Sequence, residues 1–188
     1  MSQPRTEIKR HSERSVPEQA CEILAAGRVA HLAFVEREQP FAIPFGYHFD
    51  SRQPDKLYLH GSRASRALTL AGSGAPLCVT VTLLDGLVYS KSAMNHSLNY
   101  RSVVCFGRGR EITDHATQRG IDDLMIRRYH PGRTEGRDYA RATEEQLTAT
   151  LLVEIAIEDW SAKARTGGPT GPLDDDPWAP GTCGVVAL

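Results

Sequence analysis

The segment Leu57-Tyr58-Leu59-His60-Gly61-Ser62-Arg63-Ala64-Ser65-Arg66-Ala67-Leu68 crowds hydroxyls, guanidiniums and an imidazole together. A strand that enters a helix through Gly61 leaves unpaired N–H groups beside Ser62, Arg63, Ser65 and Arg66. Together these groups suit a phosphate, because charge-assisted bonds add to the helix-terminal field. A capped, solvated helix start with surface arginines has the same appearance. Asn95-His96-Ser97-Leu98-Asn99-Tyr100-Arg101-Ser102 is a second polar cluster, able to reach a cofactor, a subunit interface or only solvent. Ser161-Ala162-Lys163-Ala164-Arg165-Thr166-Gly167-Gly168 is a third, with two cations and a hydroxyl just after the last expected strand. His60 adjoins the first cluster and His96 lies in the second, whereas His31 and His48 read as wall residues of strands.

Several chemistries lack their anchors. No pair of histidines has H-x-x-x-H spacing, and Cys21, Cys78, Cys105 and Cys183 form no C-x-x-C, so no metal site is expected. G-x-S-x-G and G-x-G-x-x-G are both absent, which argues against a serine-hydrolase elbow and a Rossmann dinucleotide site. The nine arginines against six acids between Arg101 and Arg141 lack interleaved aromatics and read as a solvated face.

The elements around these clusters follow from periodicity. Ser15-Val16-Pro17-Glu18 has the form of a capping box ahead of a helix with Ala20, Ile23 and Leu24 on one face and a stop at Gly27. The period then drops to two. Val29–Val35 is a strand and Glu36–Pro40 a turn. Next, Phe41, Ile43, Phe45, Tyr47 and Phe49 alternate with Ala42, Pro44, Gly46 and His48. Pro44 cannot donate to a ladder, so an edge or bulge lies near it. The small face leaves room for a flat ligand, although an irregular strand would look alike. Lys56–His60 is a short strand, followed by a helix from Gly61 to about Ala71 capped by Ser62. Ala75–Leu84 and Leu87–Ser92 are strands joined by a hairpin turn at Asp85-Gly86. Tyr100–Ile112 is a long strand bent at Gly107 and Gly109, and Asp114 caps a helix running to about Tyr129. Thr143-Glu144-Glu145-Gln146 is another capping box, before the strand Thr148–Ile157. Nine of the eighteen residues from Gly167 to Gly184 are Gly or Pro, which excludes regular structure there, while Trp178 and Val185–Leu188 can still dock on a surface. Six to seven mostly antiparallel strands with peripheral helices make a mainly β fold, most simply a small barrel.

The 188 residues fit one domain, expected over 15–166, with a flexible arm at 1–14 and a Gly/Pro-rich tail at 167–188. A net charge of −1 argues against a protein that grips nucleic acid or anionic membrane by bulk charge. No apolar run approaches the ~20 residues of a membrane span. The polar start MSQPRTEIKRHSERS lacks a signal sequence's hydrophobic run, so a cytoplasmic protein with reduced cysteines is expected.

Five blocks, in order, resemble the flavin-nucleotide-binding proteins related to pyridoxamine 5'-phosphate oxidase, and the nitroimidazole-resistance branch in particular. They are Gly27–Ala33, Ala42–Tyr47, Leu59–Arg66, Asn99–Val104 and Ser161–Gly167, within a similarity running from about residue 10 to 170. The resemblance implies a split β-barrel that binds FMN at the interface of a homodimer. It implies that Ile43, Pro44, Phe45, Gly46 and Tyr47 pass along the flavin ring. Gly61, Ser62, Arg63, Ser65 and Arg66 correspond to the phosphate-binding Ser-Arg-Lys stretch, with Ala64 in place of the lysine. Tyr100, Arg101 and Ser102 correspond to a flavin-contacting strand on which Ser102 replaces a glutamine. Lys163, Arg165 and Thr166 correspond to residues that close over the site from one subunit or the other. His60 matches by motif position the histidine that is functional in the nitroimidazole branch. The oxidase's substrate-phosphate residues find no match, so pyridoxamine phosphate oxidation is not implied. The leading expectation is an FMN-dependent oxidoreductase that reduces a small acceptor such as a nitro compound. Alternatives are a flavin store, sensor or electron carrier, and a deazaflavin- or haem-binding relative with His60 or His96 as axial ligand.

Overall fold

The computed structural model describes residues 5–188, so the first four residues of the expected arm lie outside the described residues. Seven antiparallel strands make one sheet: β1 (Val29–Glu36), β2 (Gln39–Phe49), β3 (Lys56–Ser62), β4 (Ser73–Tyr89), β5 (Ser97–Ile112), β6 (Thr150–Arg165) and β7 (Gly184–Ala187). Their order is β1-β2-β3-β6-β5-β4-β7, and β1 also pairs with β4. That extra pairing closes six strands into a barrel, with β7 attached beyond it to Gly86–Tyr89 of β4. The mainly β split barrel with peripheral helices is therefore the observed fold.

Alternation along the strands fills the barrel. Ala30, Leu32, Tyr47, Leu57, Leu59, Val81, Val103 and Val153 are fully buried. Two helices stop its ends. In α1 (Ala20–Ala26), Ile23 and Leu24 are fully buried, and a Cβ at the adjoining Gly27 would lie 2.3 Å from Val81. In α2 (Arg66–Gly72), Leu68 is fully buried, and a Cβ at Gly109 would lie 2.5 Å from the Ala71 carbonyl. Two further helices, α3 (His115–Tyr129) and α4 (Glu144–Ala149), lie outside the barrel. Asp114 caps α3, and Thr143 with Gln146 forms the expected capping box on α4.

The barrel is split at β2. Residues 39–46 pair with β1, but β3 joins only at Tyr47–Phe49. Pro44 thus lies where β2 has a free side and its missing N–H costs no ladder bond.

Four local expectations are corrected. Ser15 does not cap α1, which starts after a 3-10 turn at Pro17–Gln19. Ser15 bridges Lys163, and Val16 N–H donates to the Ala162 carbonyl at 3.0 Å, because β6 outruns β3 and its edge needs a partner there. Ser62 is the last residue of β3, opposite Thr150, so α2 starts later with Ser65 as its cap. Asp85-Gly86 makes no hairpin: β4 runs through it with a bulge, and the Asp85 carboxylate is gripped by Arg101 at 2.7 and 3.0 Å. β6 continues to Arg165 because β5 pairs with it along its length, which puts the third polar cluster inside a strand. The C-terminal residues do dock, as β7, whereas Trp178 stays 92% exposed.

Candidate functional site

Strand register unites two of the three polar clusters. Tyr100, Arg101 and Ser102 on β5 lie opposite Arg165, Ala164 and Lys163 on β6. The Ser102 hydroxyl donates to the Lys163 carbonyl at 3.3 Å, and Arg165 donates to Asn99 Oδ1 at 2.5 Å. Lys163 Nζ donates to the Arg10 carbonyl at 2.9 Å, and Thr166 is exposed just past the strand. Next to this pair, one outward row crosses five strands: Pro44, His31, Thr80, Val104 and Ser161 are successive register partners. Ala42 and Pro44 are exposed on that face, so a flat ring can approach the β2 backbone there, while Gly46, farther along β2, lies against the Tyr129 ring. Ile43 and Phe45 turn half-buried toward the interior. Tyr47 is a core residue. Its hydroxyl donates to the Leu24 carbonyl at 2.5 Å, and burial pushes its pKa well up.

The first cluster is not drawn together. Arg63 pairs with Glu111 at 2.8 Å and donates to the Thr148 carbonyl at 2.9 Å. Arg66 turns the other way, 3.3 Å from Glu36 and stacked 4.1 Å over the Phe41 ring. Ser65 is engaged as the helix cap, and the Ser62 hydroxyl accepts from Ala64 N–H at 3.2 Å. Gly61 has a local reason: a Cβ there would lie 2.9 Å from Leu68.

His60 belongs to a different place. It lines a cavity of about 460 Å³ between the outer face of β2 and β3, helix α3 and the 135–142 loop. That size suits a small-molecule or cofactor site, roughly 300–1,000 Å³. Gly46 and His60 form the strand side. Met125, Ile126 and Tyr129 come from α3, Tyr139, Ala140 and Ala142 from the loop; Arg119 and Arg141 stand against Asp122, Asp123 and Glu135, and His130 is a second imidazole on the lining. His60 Nδ1 lies 2.8 Å from Asp122 Oδ1. A carboxylate only accepts, so Nδ1 is the donor, and in the neutral ring this leaves the lone pair on Nε2. Among the described residues, Nε2 has no hydrogen-bond partner. Arg119 pairs with Glu144, while its buried Nε has no partner. His96 is exposed against Tyr89 and lines no such cavity.

Helix α3 is held firmly over this cavity. The Tyr129 hydroxyl accepts from Tyr47 N–H at 2.8 Å and donates to the Arg28 carbonyl at 2.7 Å. Arg128 donates to the carbonyls of Gly27 and Leu24 and stacks on Tyr47. The expected solvated arginine face is thus partly structural. Arg119, Asp122, Ile126 and Tyr129 recur at helical spacing, the one signal that could have marked α3 as a cavity wall. Beside the cavity strands, Tyr58 donates to Glu154 at 2.8 Å and Arg110 to the same carboxylate at 2.9 Å. Burial and then the Glu154 bond push the Tyr58 pKa up to about 12. Burial raises the Glu154 pKa, but the Tyr58 and Arg110 bonds outweigh it and hold the carboxyl below its ordinary value. His48, buried with Nδ1 unpartnered, has its pKa lowered by burial and by Arg128. No group of His, Cys, Asp and Glu among the described residues could hold a metal ion on its own.

No curated protein gives a significant match to the chain. Solved structures do. The FAD and heme binding protein from Mycobacterium smegmatis is 35% identical over 93% of this chain and 84% of its own, with a TM-score of 0.81. The flavocytochrome Anf3 from Azotobacter vinelandii is 30% identical over 99% of this chain and 85% of its own, with a TM-score of 0.85. A protein from Bacteroides thetaiotaomicron provisionally described as a 5-nitroimidazole antibiotic resistance protein shares the fold at 17% identity over 79% of this chain and 85% of its own, with a TM-score of 0.64. Residues 17–164 match the pyridoxamine 5'-phosphate oxidase family. With that match spanning the whole barrel, the chain belongs to the pyridoxamine 5'-phosphate oxidase family.

Proposed function

We propose that this chain is a redox protein that binds both a flavin and a haem, the haem in the cavity under α3 and the flavin on the open outer face of the barrel. The observation that carries the reading is His60. It faces a largely apolar cavity with Nδ1 tied to a carboxylate and Nε2 unpartnered. A histidine that ligates a metal almost always donates its other N–H in this way. Met125, Ile126, Ala140 and Ala142 suit a hydrophobic macrocycle, and Arg119 and Arg141 suit its carboxylates. Support also comes from the two relatives described as binding FAD and heme or as a flavocytochrome.

For the flavin, the small outward residues of β2 and the joined β5–β6 cluster fit a ring lying on the sheet. FMN, expected from the sequence, and FAD, named for the mycobacterial relative, share that ring and its first phosphate. The open face supports a homodimer whose second copy covers the flavin. The free thiols of Cys21, Cys78 and Cys105 fit a reducing compartment, and we assign the chain to the cytoplasm. When bound, a flavin would take up electrons in pairs and release them one at a time to a haem that carries them singly, so the two together would couple a two-electron donor to a one-electron acceptor. His60 and Asp122 would hold the haem, and Tyr129 and Tyr139 would exclude water from it.

The test is the absorption spectrum of purified protein supplied with hemin and with FMN or FAD. A Soret band beside flavin bands is expected, and His60→Ala should lose the first and keep the second. Flavin bands without a Soret band would refute the haem and return the chain to a flavin-only reductase, including one acting on nitro compounds.

A further inference from the structure

We propose that Asp122 is a positioning residue that sets the donor strength of the His60 imidazole toward the haem iron. This rests on the haem reading above. Among the described residues, Asp122 pairs with His60 alone. Its neighbour Asp123 takes the competing partners, Arg127 at 2.7 Å and the Tyr139 hydroxyl at 2.8 Å. The Asp122 charge is therefore directed at one imidazole. Its position is fixed as well, because α3 is capped by Asp114 at one end and clamped by Arg128 and Tyr129 at the other.

A neutral carbonyl in the same place would orient the ring and raise its basicity less. A carboxylate also draws the Nδ1 proton toward itself, which raises electron density on the ring and makes Nε2 the stronger donor. A stronger donor to the iron would favour ferric over ferrous and lower the reduction potential, one of the protein's recognised levers on haem. Asp122 thus fixes the ring's orientation, its tautomer and the iron's potential together.

The experiment uses the full chain reconstituted with hemin, as wild type, Asp122→Asn, Asp122→Glu and His60→Ala, with circular dichroism to report folding. Asp122→Asn should bind hemin about 10- to 100-fold more weakly. The hemin it retains should have a higher midpoint potential than wild type. Asp122→Glu should bring the potential back toward wild type, a rescue that a purely structural role would not produce. A folded Asp122→Asn with wild-type potential, or an Asp122→Glu shifted as far as Asp122→Asn, overturns the assignment and leaves the haem reading intact. A wild type without a Soret band, or a His60→Ala with an unchanged one, overturns both.

Discussion

The barrel has two outer faces, and the same strand alternation makes them very different. One is open: the row Pro44, His31, Thr80, Val104 and Ser161 crosses it, and Val29 and Val35 stay 47% and 60% exposed. The other carries His60, Leu152 and Ile112 in register and lies under α3 and α4, where Leu152 is 1% and Ile112 7% exposed. The covered face builds its own cavity from one chain. The open face is flat, small-residued and unfinished, and its apolar edges favour a second surface. A site on the first depends on helix packing, and under the proposed reading a site on the second is completed by a second copy.

This contrast predicts separable failures. The largest belongs to the covered face: His60→Ala should abolish hemin binding and leave flavin content unchanged, read from the two sets of bands. Next, Val104→Arg puts a charge in the open row, between Thr80 and Ser161. It should convert a dimer to a monomer on size-exclusion chromatography and release flavin while hemin still binds. Loss of both ligands together would mean that the faces are not independent. Replacing Ser62 and Arg63 with Ala should leave flavin binding unchanged, because Arg63 is held by Glu111 and the Thr148 carbonyl. A loss of about tenfold, as for a charged hydrogen bond of roughly 1.5–3 kcal/mol, would extend the flavin site to that turn.

Two smaller effects concern stability. Tyr129→Phe leaves the buried Tyr47 N–H without its acceptor and should cost about 1–3 kcal/mol in chemical denaturation. Glu154 has a folded pKa below its ordinary value of 4.5. The stability it contributes is therefore present above about pH 4.5 and is lost as pH falls through its folded pKa. Glu154→Gln should be less stable than wild type at neutral pH, and the gap should close in acid. A constant gap across pH would place its role in packing alone.

Much of the barrel was legible in the sequence because period-two alternation reports burial directly. β1, the apolar face of β2, the long β5 and the caps of α3 and α4 follow from local residues. Partner choice was not local. Asp85-Gly86 has hairpin chemistry, yet β5 holds β4 straight through it. Ser62 has cap chemistry, yet β6 claims it as a strand residue. The site divides in the same way. The resemblance drew attention to His60, but its carboxylate is 62 residues away on a helix read as solvated. Arg63 and Arg66, close in sequence, are pulled apart by Glu111 and Glu36, carboxylates on two other strands.

The claim that one chain keeps two cofactor sites on separate faces is tested most directly by titrating hemin into flavin-loaded protein while following the Soret band and flavin fluorescence. The account predicts saturation at one hemin per chain with the flavin still bound. Displacement of flavin by hemin, in step with the rising Soret band, would contradict it.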